Sequence, residues 1–444
     1  MIQITDKTNC CGCEACAQVC PKACISMERD AEGFLYPHAN LDICINCGLC
    51  EKVCPCLNGE EAKEPMAVYA AINPDEEVRR KSSSGGVFTL LAEQIISKGG
   101  VVFGARFDDN WQVEIVGAET MEQVATFRGS KYLQAKVGDS YKQCKAFLDA
   151  GREVLYSGTP CQIAGLLHYL RKRHANLSTV DFVCHGVPSP GVWKKYIEEV
   201  ATAGKQAIRE VSFRNKAKGW KRFSFYMNYD SDNNIVTMLS PLDKNPYMQA
   251  FLSDLILRPS CHDCPAKGGK SHSDITIADF WGIQNILPSM DDDKGTSLVL
   301  INTEKGEKVF PEDNLRCEAT TMDALRYNSA YNNSSRPNPK RDTFFTELSE
   351  DANIHNLIEK ALQPSFEQQM KSLVKYPILQ AKKVMKALLH KGSENPTGGG
   401  KFIENQQFVL YNTNIETSSI AFRDKRNGWK HYVLRIELKA TDGQ

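Results

Sequence analysis

The sequence predicts a mixed fold of the α+β and α/β classes, with a small cysteine-rich domain, an α/β core and a mainly helical C-terminal region. Eleven of the 17 cysteines lie in the first 56 of the 444 residues. After a polar linker at 57–65, short apolar runs alternate with segments of helical periodicity. Beyond Pro337 and Pro339 the apolar residues follow a helical period. We therefore expect domains at 1–57, 66–335 and 340–444.

The first domain contains two copies of the pattern Cys-x2-Cys-x2-Cys-x3-Cys-Pro, ending at Pro21 and Pro55. This spacing is typical of bacterial ferredoxins with two [4Fe–4S] clusters, in which the last cysteine of each copy binds the other copy's cluster. We therefore predict a bacterial-ferredoxin-like domain. Its cluster one would be bound by Cys10, Cys13, Cys16 and Cys54, and its cluster two by Cys44, Cys47, Cys50 and Cys20. The remaining Cys11, Cys24 and Cys56 are expected to be small buried hydrophobic residues.

Disulfide bonds and zinc fit the cysteine pattern less well than iron–sulfur clusters do. A disulfide framework requires an oxidising compartment, and the first residues, MIQITDKTN, contain no apolar signal sequence. Structural zinc sites use two pairs of ligands rather than two runs of four. The formal net charge is 0, so nucleic acid is not an expected partner. No apolar run reaches the roughly 18 residues of a membrane helix, and we expect a cytoplasmic, reducing setting.

The core is predicted to alternate strands and helices. Ser84-Gly85-Gly86 precedes a helix that ends at Gly99-Gly100, and Pro160 suits the first turn of another helix after a buried strand. This order indicates a mixed or partly parallel sheet. The predicted strands are 66–73, 101–107, 112–119, 153–157, 179–184, 275–282 and 297–303, and the predicted helices are 87–96, 140–150 and 161–173.

Two later regions depart from this alternation. Three strands are expected between 208 and 240, followed by a helix near 245–256. The motif at 213–221 recurs at 422–430, offset by 209 residues, and each copy is expected to form a β-hairpin. The alternative for the second copy is an anion-binding Arg/Lys pair. Residues 345–391 are predicted to be helical, and their last 21 residues carry six lysines and no acid. That segment, 371–391, suits a solvated helix or, alternatively, a peripheral contact with an anionic membrane or a partner.

Four further cysteines follow predicted strands or turns. Because strand ends meet at one edge of an α/β sheet, their thiols are candidates for a third [4Fe–4S] cluster. A redox dithiol, half a zinc site, or a nucleophile at position 161 are the alternatives. The four are Cys161, Cys184, Cys261 and Cys264.

Six short segments, in the same order, resemble the family of coenzyme F420 hydrogenase/dehydrogenase beta subunits. They are 82–91, 127–134, 157–162, 184–186, 261–266 and 274–282. The resemblance implies an iron–sulfur flavoprotein, with a flavin-binding core that holds FAD or FMN beside an intrinsic [4Fe–4S] cluster on the four cysteines just named. The Asp279–Gly282 turn departs from the family's F420-hydrogenase subunits, so F420 itself is not assigned.

The same resemblance implies the flavin contacts. Glycine turns let backbone N–H groups approach pyrophosphate, and a helix N-terminus favours its charge. A plain tight turn is the alternative at Gly85-Gly86. The implied contacts are Ser84, Gly85, Gly86, Gly129, Ser130, Lys131, Tyr132, Gly158 and Thr159.

A flavin exchanges electrons singly or in pairs, whereas a cubane takes one at a time, so the two together would connect a two-electron substrate with a one-electron carrier. The leading hypothesis is an oxidoreductase that connects a small-molecule substrate or coenzyme with a ferredoxin or a partner subunit. His185, beside Cys184, is a candidate proton donor, or alternatively a hydrogen-bonding neighbour of the cluster. The rival hypothesis is an electron-transfer subunit of a larger redox complex, without a substrate site.

Overall fold

The computed structural model describes residues 1–201, 207–231 and 234–363, and the backbone of strands at 406–412, 418–424 and 428–434. The chain divides into one compact unit, Met1–Gln363, and a second unit, Pro364–Gln444. Among the described helices, none has the length and apolar character needed to cross a membrane.

The described strands and helices are numbered in chain order. The strands are β1 (Ile25–Arg29), β2 (Leu35–Ala39), β3 (Ala67–Ile72), β4 (Val101–Phe107), β5 (Val113–Ala118), β6 (Val154–Ser157), β7 (Leu177–Phe182), β8 (Ile208–Asn215), β9 (Ser224–Ser231), β10 (Asn234–Pro241), β11 (Ile275–Asp279), β12 (Ser297–Ile301), β13 (Arg316–Thr320), β14 (Gln406–Asn412), β15 (Ser418–Asp424) and β16 (Gly428–Leu434). The α-helices are α1 (Ala15–Val19), α2 (Leu49–Lys52), α3 (Glu76–Lys81), α4 (Val87–Ile96), α5 (Met121–Ala125), α6 (Ser140–Asp149), α7 (Pro160–Leu170), α8 (Pro190–Ala201), α9 (Pro246–Leu252), α10 (Glu304–Val309), α11 (Arg341–Glu347) and α12 (Ile354–Leu362).

An eight-stranded sheet in the order β13-β3-β12-β11-β7-β6-β4-β5 forms the centre of the first unit. Strands β11, β7, β6 and β4 pair in parallel, whereas β12 is antiparallel to both β11 and β3. The predicted mixed α/β sheet is therefore confirmed. Because β3 runs parallel to β11, the carboxyl ends of five strands lie along one edge.

Helices cover both faces of this sheet, which explains why central strands such as β6 and β12 are rich in apolar residues. On one face, Val87, Leu91 and Ile95 of α4 pack with side chains of the central strands. On the other face, α6 and α7 pack against Phe103 and Tyr156. Strand β12 is buried along its whole length. Apolar burial on both faces is the main force that holds the layers together.

The N-terminal domain is docked on the core through buried polar side chains. The Glu14 carboxylate accepts hydrogen bonds from the backbone N–H groups of Val137 (2.8 Å) and Gly138 (3.1 Å). Gln18 accepts one from the backbone N–H of Tyr141 at 3.0 Å. These bonds satisfy backbone N–H groups of the loop that leads into α6. Because hydrogen bonds are directional, they fix both the position and the orientation of the cysteine-rich segment.

Strands β10, β9 and β8 form a second, antiparallel sheet. It contributes to an aromatic core with α8 and α9, in which Trp193, Phe213 and Phe225 are buried. Helices α11 and α12 also pack on this core through Phe344 and Ile358. The first compact unit therefore continues to Gln363.

In the second unit, the described backbone is a three-stranded antiparallel sheet in the order β14-β15-β16. The repeated motif begins in β8 in the first unit and in β15 in the second. In each case the strand pairs antiparallel with the next one, β9 or β16. The expected hairpins are thus present at both copies. The lysine-rich segment 371–391 lies outside the described residues.

We expect Gly85→Ala to destabilise the fold, because a Cβ there would lie 2.3 Å from the Ala71 carbonyl oxygen and 2.7 Å from the Ser297 nitrogen. Overpacking of this kind costs about 1–3 kcal/mol, and it should lower the urea midpoint of the full chain. The control is Gly59→Ala, whose Cβ would have no atom within 4 Å. Equal midpoints for the two variants would contradict this prediction.

Candidate functional site

A thiol-lined pocket lies at the carboxyl edge of the central sheet. Cys161 is the second residue of α7, which follows β6, and Cys184 lies two residues beyond β7. Cys261 and Cys264 lie on and just after the turn Pro259–Asp263. All four line one pocket, together with Cys11, His185 and Lys267. The structure therefore brings together the four cysteines proposed for a third cluster.

Local sequence explains how these thiols are held. Pro160 starts α7, and the Gln162 side chain accepts a hydrogen bond from the Thr159 backbone N–H at 2.9 Å, as in a capping box. The Thr159 hydroxyl lies 3.2 Å from the Cys161 sulfur. The Cys264 backbone N–H donates to the Ser334 hydroxyl at 3.0 Å. Cys161 and Cys264 thus lie on short segments whose backbone is held by local hydrogen bonds.

The ferredoxin-like domain forms two further thiol groups. The four cysteines predicted for cluster two, Cys20, Cys44, Cys47 and Cys50, line one pocket. Of the cysteines predicted for cluster one, Cys10, Cys13 and Cys16 lie close together, and Cys13 helps to raise the pKa of the other two thiols. Cys13 likewise lies close enough to Cys54 to help raise its pKa. Both predicted groupings therefore correspond to neighbouring side chains.

Several of these sulfurs accept hydrogen bonds from N–H groups, an arrangement that suits cluster-bound thiolates and shifts their potential. The backbone N–H of Ile2 donates to Cys50 at 3.3 Å, that of Asn46 to Cys44 at 3.4 Å, and that of Val187 to Cys261 at 3.4 Å. Within the described part of the chain, no three His, Cys, Asp or Glu side chains converge on a single-ion site. Several thiols around one pocket suit a polynuclear iron–sulfur cluster.

The three remaining N-terminal cysteines lie among these thiols. Cys11 and Cys24 are each 5% exposed, as expected for small buried residues. The Cys24 sulfur lies 3.2 Å from that of Cys20, and this contact raises the pKa of Cys24 to about 12. Cys11 and Cys13 belong to one buried cluster, against which Cys56 and Cys161 pack, and Cys11 also lines the pocket of the third thiol group. Cys11 therefore connects the predicted cluster-one ligands with the third thiol group, which the spacing pattern did not predict.

Two buried cations face the thiols. Arg258 is 0% exposed and Lys267 is 7% exposed. Among the described residues, neither forms an ion pair with a carboxylate. The Arg258 guanidinium donates to the Cys10 sulfur at 3.4 Å, and the Lys267 ammonium donates to the Cys184 carbonyl oxygen. A buried charge without a counter-charge is costly, so the surroundings fit anionic clusters held by thiolates.

His185 lies at the rim of the third thiol group. Its Nε2 is 2.6 Å from the Asp254 carboxylate, and its ring packs edge-on against Phe251. Asp254 has a left-handed backbone, with φ of 61°, so a strained turn holds this carboxylate. The pair can hold a proton beside the pocket. Sequence reasoning missed Asp254, because a lone aspartate after a helix carries no distinguishing pattern.

The predicted flavin segments meet in part. The Ser83 and Ser130 hydroxyls are 2.8 Å apart, and the Ser130 backbone N–H donates to Ser83 at 2.7 Å, so the loops at 82–86 and 129–132 are adjacent. The segment Gly158–Thr159 follows β6 at the same edge of the sheet. Gly86 has φ of +82° and precedes α4. Position 85 needs a glycine for a different reason, because a Cβ there would clash with the backbone of β3 and β12.

Lys131 has a second role that the sequence did not indicate. Its ammonium lies 3.2 Å from the carbonyl oxygens of Phe127, Arg128 and Gly129, so it closes the turn after α5. Burial lowers the pKa of Lys131 to about 7, while the three carbonyls favour its charged form. The Lys131 ammonium therefore donates its hydrogen bonds to carbonyl oxygens of its own loop.

A buried arginine network lies beside these loops. Arg214 makes two hydrogen bonds to Asp279, of 2.5 and 2.9 Å, and its Nη1 is 3.5 Å from the Tyr132 hydroxyl. The Trp220 and Trp281 rings stack, with centroids 4.8 Å apart. The repeated motif at 213–221 and the turn after β11 therefore build one polar and aromatic wall. The sequence showed both motifs but not their contact.

Family comparisons agree with this geometry. The family model for the C terminus of the coenzyme F420 hydrogenase/dehydrogenase beta subunit matches residues 151–324, and the model for its N-terminal part matches residues 68–140. Together they match more than half of the chain. The chain belongs to the family of coenzyme F420 hydrogenase/dehydrogenase beta subunits. A 4Fe-4S dicluster domain model also matches residues 9–58, so this member of an oxidoreductase family is an iron–sulfur protein.

Individual relatives match parts of this family member. The F subunit of the F(420)H(2) dehydrogenase of Methanosarcina mazei is 25% identical over 162 residues, which are 34% of this chain and 46% of the relative. The chain thus spans about half the length of that relative. An uncharacterized ferredoxin of Methanocaldococcus jannaschii is 36% identical over 52 residues, 12% of this chain and 66% of the ferredoxin. A chain of the F420-reducing NiFe hydrogenase complex from Methanosarcina barkeri aligns with a TM-score of 0.40 and 17% identity, over 71% of this chain and 93% of that chain.

We expect Cys184→Ser to remove one cluster, because it takes away one of four thiolates in the third group. Iron in the anaerobically reconstituted protein should fall from about twelve to about eight atoms per chain. The matched control is Cys144→Ala, at a buried thiol that does not line any of these pockets, and it should retain about twelve. Full iron content in the Cys184 variant would contradict the ligand assignment.

Proposed function

We propose that this chain is a flavin-dependent iron–sulfur oxidoreductase, in which segments 1–57 and 66–335 carry the redox groups and 340–444 is a C-terminal extension. Electrons would pass between a ferredoxin or partner subunit and a flavin that reduces or oxidises a small substrate or coenzyme. Free thiols in this number suit a cytoplasmic, reducing compartment. The observation that carries the proposal is that Cys11, in the cluster-one loop, lines the same pocket as Cys161, Cys184, Cys261 and Cys264.

Exposure supports an order for the electron route. Cys47 of the cluster-two group is exposed, whereas Cys10, Cys13, Cys16 and Cys54 of cluster one are buried. The third group lies at the carboxyl edge of the sheet, where its four cysteines are partly exposed and share a pocket with Cys11 of the cluster-one loop. Electrons from an external carrier would therefore enter at cluster two, pass through cluster one and continue by way of Cys11 to the third cluster.

The flavin proposal rests on the family and on the adjacent loops at 82–86, 129–132 and 158–159. A bound flavin would supply the exchange between electron pairs and single electrons. The residues held there include Ser83, Ser130 and Tyr132, which offer hydroxyl and backbone donors. His185, paired with Asp254, would hold or deliver the proton that accompanies electron transfer to the substrate.

Quantification of iron, sulfide and flavin after anaerobic reconstitution tests this proposal. We expect about twelve irons and one flavin per chain. Ser130→Asp should weaken flavin binding about tenfold or more, because its carboxylate repels an anionic phosphate. Ser130→Ala, which removes the hydroxyl without adding charge, is the control and should lose much less. Three clusters without any flavin would refute the enzyme proposal.

An apolar surface favours the second candidate, an electron-transfer subunit of a larger redox complex. Leu41, Ile43 and Ile45, which flank Cys44 of the cluster-two group in the sequence, are each at least half exposed, from 50% to 61%. Exposed apolar patches of this kind mark protein interaction sites. This surface is also the place where a ferredoxin would dock under the first proposal. The two candidates share the entry point and differ in whether a flavin and a substrate site follow it.

We expect Ile45→Asp to slow reduction of the clusters by a reduced low-potential ferredoxin, because docking would bury the new carboxylate. The rate should fall several-fold, by about 1 kcal/mol or more in the docking step. Reduction by dithionite, which needs no protein contact, should be unchanged and is measured on the same sample by stopped flow. An equal rate with the ferredoxin would place the docking surface elsewhere.

A further inference from the structure

Arg258 occupies an unusual place between two of the thiol groups. Its Nε donates to the Cys10 carbonyl oxygen at 2.7 Å and its Nη2 to the Cys10 sulfur at 3.4 Å. The Cys261 backbone N–H donates to the Arg258 carbonyl oxygen at 2.9 Å. One residue is thus bonded directly to a predicted ligand of cluster one and, three positions on, to the segment that carries ligands of the third cluster.

The guanidinium is enclosed on every side. Its Nη1 donates to Gln134 at 2.8 Å and its Nη2 to the Leu35 carbonyl oxygen at 3.0 Å, while its plane covers the Tyr36 ring at 4.2 Å. A Cβ at Gly12 would lie 2.8 Å from Nη1 and 2.4 Å from Gln134. The cluster-one loop therefore has a glycine where it passes over the arginine.

This charge has no carboxylate partner in the described part of the chain. Three other deeply buried arginines each pair with a carboxylate: Arg79 with Asp292, Arg214 with Asp279 and Arg341 with Glu32. The acceptors that Arg258 contacts there are carbonyl, amide and sulfur atoms. An unpaired buried charge is strongly unfavourable, and a cluster bound through the Cys10 sulfur, to which Arg258 donates, would supply the missing negative charge.

We propose that Arg258 raises the reduction potential of cluster one, and to a smaller extent that of the third cluster, so that an electron arriving from cluster two moves inward. This rests on the proposed iron–sulfur function. Reduction adds one electron to the cluster and breaks no bond, so the added negative charge is stabilised by the nearby guanidinium. Hydrogen bonds to cluster sulfurs act in the same direction.

The test is potentiometry of the reconstituted full chain, followed by electron paramagnetic resonance, in Arg258→Gln and Arg258→Lys. Signals are assigned with Cys47→Ser for cluster two and Cys184→Ser for the third cluster. In Arg258→Gln the equilibrium constant for reduction of cluster one should fall about tenfold or more, and tenfold corresponds to about 59 mV. Arg258→Lys keeps the charge and should shift less. Cluster two, whose cysteines accept no hydrogen bond from Arg258 in the described structure, serves as an internal reference.

The control variant is Arg79→Gln, which removes a buried guanidinium that contacts Asp292 and the Gly295 carbonyl oxygen rather than a thiol. It should leave all three potentials unchanged. Unchanged potentials in Arg258→Gln with full iron content, or an equal shift at all clusters, would overturn the proposal. Loss of about four irons would also overturn it, because Arg258 would then serve to hold the loop.

The iron content of the unmodified protein separates this inference from the proposed function. About eight irons per chain would refute the third cluster but leave the cluster-one shift measurable. An absence of clusters would refute both.

Discussion

The docking of the cysteine-rich domain onto the carboxyl edge of the central sheet is the constraint on which the site depends. It is made by buried polar contacts rather than by apolar area alone: Glu14 caps the backbone before α6, and Arg258 bonds the loop at Cys10. Such bonds have narrow geometry, so they fix distance and orientation together. A ferredoxin on a flexible tether would not hold Cys11 in the pocket that contains Cys161.

The same docking explains the composition of the interface. Thiols, a guanidinium and an ammonium are buried where a stable interior would have aliphatic side chains, and the desolvation of Arg258 and Lys267 would oppose folding. The proposed clusters would offset this cost, because each would bring negative charge to one of the two cations. Folding and cluster assembly are thus expected to be coupled, as they are in other proteins whose metal sites complete the core.

The sequence was most informative where chemistry demands a fixed spacing. Local pattern is sufficient to group the eight ferredoxin cysteines and to predict the helix start at Pro160. It also predicts the succession of strands and helices along much of the core. The sequence left several roles open for the cysteines of the third thiol group. Cys161, Cys184 and Cys264 are distant in sequence, and only the sheet topology brings them together. Asp254, Arg258 and the contact of Arg214 with Asp279 could not be predicted, since a single charged residue has no periodicity.

Cys11 shows why the last step needs the structure. In the sequence it is a surplus cysteine beside a ligand, and burial as a small apolar residue is the simplest expectation. In the fold it lies where the cluster-one loop meets α7, and Gly165 of that helix leaves room for the Cys13 side chain: a Cβ there would lie 2.8 Å from the Cys13 Cβ. Two short motifs, each unremarkable alone, therefore create a close approach between separate redox groups. The proposed route for electrons depends on packing between these elements, and no motif in either element encodes it.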